Sequence, residues 1–166
     1  MKSSKLLALA GVTLLAAATL AACSGSSSNA KGEKTFSYIY ETDPDNLNYL
    51  TTGKAATANI TSNVIDGLLE NDRYGNFVPS MAEDWSVSKD GLIYTYTLRK
   101  DAKWYTSEGE EYAEVKAQDF VTGLKYAADK KSDGLYLVQE SIKGLDAYVK
   151  GETTDFSQVG IKALDD

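Results

Sequence analysis

The chain is expected to adopt an α/β fold, because strand-like and helix-like patterns alternate along residues 33–166. Three observations carry this. A hairpin signature occupies residues 85–98, an apolar helical stripe follows over 117–128, and a period-two segment near residue 36 precedes a second helical stripe from residue 57. Strands that alternate with helices in this way bury their apolar faces against one another.

Taken in order, Glu33–Glu41 reads as a first strand, with Phe36, Tyr38 and Tyr40 on one face and Thr35, Ser37 and Ile39 on the other. A polar turn and loop follow over 42–55. Its Asp43-Pro44-Asp45-Asn46-Leu47-Asn48 run opens like a calcium loop, but Leu47, Asn48 and Lys54 stand where a ligand, a glycine and a glutamate are required. A turn is therefore expected, with Pro44 fixing φ and Asp and Asn side chains bonding nearby amides.

From Thr57, Ile60, Val64 and Leu68 recur at i, i+4 and i+8 as one stripe of an amphipathic helix, with Gly67 at its exit. Leu69–Asn76 suggests a short strand edge running into a turn. Trp85-Ser86-Val87 and Leu92–Leu98 flank Ser88-Lys89-Asp90-Gly91, and this is a hairpin whose glycine tolerates positive φ. Leu92, Tyr94, Tyr96 and Leu98 share a face. Trp104 and Tyr105 are expected to pack against the sheet, ahead of a polar excursion over 106–114.

Ala117, Phe120, Val121, Leu124, Ala127 and Ala128 define the next helix, which Asp129–Gly134 ends. Val138, Ile142, Leu145 and Val149 set a further helical pattern over 135–150 that Gly144 can split. Val159–Leu164 has strand character and meets the turn-forming Asp165-Asp166, so an unpaired strand and a chain cut short are expected.

The N-terminus has the parts of an export signal: Lys2 and Lys5, an apolar run from Leu6 to Leu20, and small residues before Cys23. The run is shorter than the roughly 20 residues that span a bilayer. Leu20-Ala21-Ala22-Cys23 resembles the bacterial lipobox, whose thiol receives a diacylglyceryl group. Cys23 is the only cysteine, and the serine-rich stretch after it can bury nothing. The expected organisation is a signal peptide over 1–22, a lipidated flexible tether over 23–32 and a folded body from 33. Acylated Cys23 would hold that body to the bilayer on the extracellular face of the cell membrane, since two acyl chains anchor far more firmly than one.

Composition narrows the chemistry. Removing residues 1–22, with Lys2 and Lys5, takes the formal charge from −7 to −9, which disfavours binding to nucleic acid. With no histidine and one thiol, His-dependent nucleophilic triads and the usual zinc sites are excluded. No pair of carboxylates is singled out by spacing. Neither an enzyme nor a bound cofactor is expected.

Four blocks in order carry a resemblance: Asn59–Leu69, Gly75–Trp85, Asp90–Trp104 and Lys116–Val121. Together they resemble family 5 extracellular solute-binding proteins of ABC importers, and within it the oligopeptide-binding lipoproteins of streptococci and related Gram-positive bacteria. Asp66-Gly67 stands where many members have Glu-Gly, and Thr106–Tyr112 replaces a shorter turn.

The resemblance implies an incomplete first lobe of a two-lobed, periplasmic-binding-protein-like fold (type II, cluster C), residues 33–166 being the N-terminal part of the solute-binding domain, truncated. It also implies capture of oligopeptides between the lobes, closure about a hinge and delivery to the permease subunits of an ABC transporter in the membrane. In the family, the segment before Asn59-Ile60 lines the cleft; here Gly53, Lys54, Ala55, Ala56 and Thr57, following Thr52, are the expected substrate-binding residues, the alternative being a plain solvent loop. Glycine and alanine there let a ligand backbone approach closely. Phe36, Tyr38, Tyr40, Tyr94, Tyr96 and both tryptophans, Trp85 and Trp104, are better explained by sheet and core packing. The competing expectation is a truncated surface lipoprotein that binds nothing, or an adhesive module, although no repeats are present to support the latter.

Overall fold

In the computed structural model, residues 37, 39 and 42–164 are described. The chain divides into two units, Met1–Ile39 and Tyr40–Asp166. The described helices and strands all belong to the second. Cys23, the tether and most of the expected first strand lie outside the described residues; Ser37 and Ile39 belong to no strand or helix.

The elements in chain order are helix α1 (Ala55–Thr61), strands β1 (Leu69–Asn71), β2 (Phe77–Pro79), β3 (Ala82–Val87), β4 (Tyr94–Leu98), β5 (Lys103–Tyr105) and β6 (Glu111–Glu114), helix α2 (Ala117–Asp129), a 3₁₀ turn (Leu135–Leu137), helix α3 (Leu145–Lys150) and a second 3₁₀ turn (Phe156–Gln158). The strands pair as three antiparallel hairpins, β1 with β2, β3 with β4 and β5 with β6.

α1 is shorter than its apolar stripe suggests. Asn63 donates its side-chain amide to the carbonyls of Asn59 (2.8 Å) and Ile60 (3.2 Å), and Thr61 turns its hydroxyl back to the Thr57 carbonyl at 3.0 Å. Side chains that take helix carbonyls offer the backbone a way out of the helix. Val64, expected on the buried stripe, is 77% exposed. Gly67 is therefore not a helix exit; its carbonyl accepts from Met81 N at 3.1 Å, and that of Leu68 from Ala82 N at 2.9 Å, which joins the first hairpin to the start of β3.

The β3/β4 hairpin matches its signature, with Trp85 opposite Tyr96 and Val87 opposite Tyr94. Its turn is tied by Asp90, whose carboxylate accepts from Ser88 Oγ and Leu92 N, and Gly91 takes φ +75°. Residues 106–114, expected as an excursion, instead return as β6, so that Trp104 faces Ala113. Tyr105 stays 59% exposed rather than packed.

α2 forms as expected. Its third residue, Asp119, accepts from the Lys116 backbone N–H at 3.0 Å and from Trp104 Nε1 at 2.9 Å, which satisfies an orphan donor before the first turn and fastens β5 to the helix. The other end closes with Lys131 N bonded to the Ala128 carbonyl and Ser132 N to the Ala127 carbonyl, both at 3.0 Å. That double closure places Lys131 at φ +50°, where glycine is usual.

The expected helix over 135–150 is split at Gly144, φ +74°, and only its second part is α-helical. The best-buried cluster joins Ala128, Leu145 and Val159, with Leu124, Ile142, Tyr148, Val149, Phe156 and Ile161 around them. Val159–Leu164 does not form the expected strand. The segment holds by side-chain burial, with Val159 1% exposed, and by backbone bonds to earlier residues, Val159 N to the Phe156 carbonyl at 3.0 Å and Gly160 N to the Lys143 carbonyl at 2.7 Å.

Candidate functional site

The residues expected to line a binding surface sit at the end of a loop, 45–54, and on the first turn of α1 (residues 55–57), and the loop is fastened along α2 and the turn after it. Asn46 Oδ1 accepts from Asn48 N at 2.9 Å, and Thr51 donates both N–H and Oγ–H to the Asn48 carbonyl. These bonds coil the loop before it reaches the helix. Asn48 Nδ2 then donates to Tyr126 Oη at 3.2 Å. Leu50 lies over Gly123, with its Cδ2 at 3.9 Å from where a Cβ would stand.

Beyond that the chain runs to Gly53, whose N–H donates to Asp133 Oδ1 at 2.6 Å. Gly53 lies against Gly134 so closely that a Cβ on it would be 3.2 Å from Gly134 Cα. The close approach expected at this glycine is thus made to the chain's own backbone. Lys54 is extended at φ −72°, ψ 131°, and stands at the start of α1. Its ammonium pairs with Asp45, which holds its pKa above the ordinary lysine value. Both partners are exposed, so the pair contributes little to stability.

Ala55 is exposed and Ala56 half-buried, whereas Thr57 points inward at 1% exposure and donates to the Asn46 carbonyl at 2.8 Å. The structure therefore brings Gly53, Lys54, Ala55 and Ala56 to a surface and sets Thr57 beneath them. Asp133, Gly134 and Gly123 were not expected to take part. No periodicity could have revealed them, because Asp133 lies 80 residues from Gly53. Chemically the surface offers backbone, small side chains and one cation. Among the described residues no three His, Cys, Asp or Glu side chains gather as a metal site.

A cavity of about 210 Å³ lies elsewhere, between α2 and α3, lined by Asp129, Lys131, Tyr148, Lys150, Thr153 and Thr154 among others. Beside it, the Asp129 carboxylate accepts from Tyr148 Oη at 2.6 Å and pairs with Lys125 at 2.5 Å. Lys125, then Tyr148, lower the Asp129 pKa. This cluster is a clasp between α2 and α3.

Residues 76–166 match the model of the bacterial extracellular solute-binding proteins, family 5 middle region. The chain belongs to that family. The oligopeptide-binding protein AliA of Streptococcus pneumoniae serotype 4 is 92% identical over 166 residues, which is all of this chain and 25% of AliA. The oligopeptide-binding protein SarA of Streptococcus gordonii is 71% identical over 172 residues, again all of this chain and 26% of SarA. The chain thus spans about a quarter of the length of the curated relatives it matches.

Among solved structures, OppA of Haemophilus influenzae in complex with the peptide RPPGFSPFR superposes with a TM-score of 0.65 at 27% identity, over 75% of this chain and 24% of that one. Listeria monocytogenes OppA bound to peptide gives 0.63 at 29% identity, over 72% and 23%. The mixed α/β arrangement is accordingly that of a family 5, periplasmic-binding-protein-like domain. Among the described residues no helix is long and apolar enough to cross a membrane.

Proposed function

We propose that this chain supplies the N-terminal part of a receptor that captures oligopeptides outside the cell for uptake by an ABC importer. The observation that carries the reading is the 92% identity, over the whole chain, to a streptococcal oligopeptide-binding protein. Residues 1–22 act as the signal peptide and Cys23 carries the lipid anchor, with 23–32 as the tether and 33–166 as the opening part of the solute-binding domain. The receptor hands its peptide to the permease subunits in the membrane, and no bond is made or broken.

A receptor for varied peptides bonds the peptide backbone and leaves room for side chains. The surface formed by Gly53, Lys54, Ala55 and Ala56 suits that task. Its side chains are small, its backbone before α1 is extended, and Lys54 offers a cation from an exposed ion pair that a ligand carboxylate can replace. Thr57 holds this surface from below through its bond to Asn46. Firm capture needs a second surface that closes over the peptide, so that the closed state is the one the ligand favours.

The test is a chimera in which this chain replaces the matching quarter of the pneumococcal relative. Titration calorimetry with a set of oligopeptides should give micromolar or tighter binding to the chimera and no measurable binding to the chain alone. A chimera that binds no peptide, or a chain that binds as tightly by itself, would overturn the reading.

A further inference from the structure

We propose that Asp133 is a positioning residue that fixes the Thr52–Ala56 backbone in the form in which it meets a peptide. This rests on the reading of that segment as part of the peptide site.

Asp133 stands on a platform of several bonds. The end of α2 is closed by Lys131 N and Ser132 N on the carbonyls of Ala128 and Ala127, and Leu135 N bonds the Ser132 carbonyl at 3.2 Å. Ser132, 9% exposed, accepts from Gly134 N at 3.2 Å through its hydroxyl. From this turn Asp133 Oδ1 takes the Gly53 N–H at 2.6 Å, while Gly134 presents its bare Cα to Gly53. A charged acceptor on a backbone N–H makes a shorter and stronger bond than a neutral one. The next donor, Lys54 N, is held by Thr52 Oγ1 at 3.2 Å.

Two consecutive backbone donors are therefore fixed from the chain's own side. The segment is clamped at Gly53 and again at Thr57, and the residues between are Lys54, Ala55 and Ala56. A backbone held this way loses less freedom when a ligand binds, which raises affinity without a new contact. Without the carboxylate, the Gly53 N–H loses its partner and the Gly53–Lys54 backbone ahead of α1 is held only from the Thr57 end.

The experiment compares D133A, D133N and A55W in the chimera, reading peptide affinity and Tm, and follows Gly53 amide exchange by NMR in the chain itself. D133A should weaken binding by about three- to tenfold, the range of an ordinary net hydrogen bond because this one is solvent-exposed, with Tm little changed and Gly53 exchange faster. D133N retains an oxygen acceptor and should restore most of the affinity. A55W, which puts bulk on the exposed surface, should abolish binding. Wild-type affinity and Gly53 exchange in D133A would overturn the positioning role, as would losses in D133A and D133N that merely follow Tm. If A55W binds normally, the segment lies outside the peptide site and both readings fall; if A55W fails to bind while D133A binds normally, only the positioning role falls.

Discussion

Gly144 is the position at which a single methyl group should do most damage. It begins α3 at φ +74°, and a Cβ built on it would lie 2.8 Å from the Gln158 carbonyl oxygen and 3.6 Å from Val159 Cα. Those neighbours cannot easily retreat. Gly160 N is bonded to the Lys143 carbonyl at 2.7 Å, and Val159, 1% exposed, packs with Leu145, which is fully buried. Gly144→Ala meets two costs: the left-handed backbone, about 1 kcal/mol for a residue with a Cβ, and overpacking against fixed backbone, about 1–3 kcal/mol.

Gly151→Ala separates the two. Gly151 has φ +79° at the other end of α3, but nothing lies within 4 Å of a Cβ there, so it carries the backbone cost alone. Urea denaturation of the chain, followed by far-UV circular dichroism, should show G144A less stable than G151A. At typical urea slopes of about 1–3 kcal/mol per molar, the extra overpacking cost corresponds to a midpoint gap of about 1 M. Coincident midpoints would refute the reasoning, since they would mean that the 143–145 and 158–160 segments do not touch as described.

Three further outcomes are expected. Lys131→Gly should stabilise the chain by about 0.5–1 kcal/mol by relieving a left-handed residue at the close of α2, read as a higher urea midpoint; an unchanged or lower midpoint counts against that closure. Trp104→Phe keeps an aromatic ring but removes the indole N–H and its bond to Asp119, and should cost about 1 kcal/mol and speed amide exchange at the start of α2; unaltered exchange there would mean that β5 does not fasten the helix. The pKa values of Asp72, Asp90, Asp129, Asp146 and Asp155 are all held below the ordinary carboxylate value of 3.8, chiefly by hydrogen bonds from Asn76, Ser88, Lys125, Lys150 and Ser157 respectively. A depressed folded-state pKa means that the stability these groups add is present above the unfolded value and disappears as pH falls through the folded one, so urea midpoints should decline below about pH 4 and stay level from pH 5 to 7.

The parts of the fold that are legible in the sequence are those whose cause is local. α2 shows its apolar face at helical spacing, and the β3/β4 hairpin has Asp90-Gly91 between apolar runs. β6 leaves no such mark, because all four of its residues are exposed and no buried face imposes an alternation. The stripe Ile60, Val64, Leu68 suggests a longer α1 than the one that forms, because the Asn63 side chain competes for the helix carbonyls. The last segment is the instructive case. Val159, Ile161 and Ala163 are buried or half-buried while Gly160, Lys162 and Leu164 are exposed, so the period of two is real. It reports an extended chain laid on a core, with no ladder beside it.

The same distinction applies to the candidate site. A glycine in a loop signals that something comes near, but not what. At Gly53 the sequence pattern and the family resemblance point to a ligand, and the structure supplies Gly134 and Asp133 on the side facing α2. One side of a backbone can be taken up by its own fold while the other stays open, and the exposed Lys54 and Ala55 form that open side. Each clamp acts on a different residue, Asp133 on Gly53 and Asn46 on Thr57, so the shape of the surface between them is set by the chain's own fold. If the proposed peptide site includes this surface, such prior order would place the binding energy in the shared peptide backbone, where side-chain variation cannot remove it.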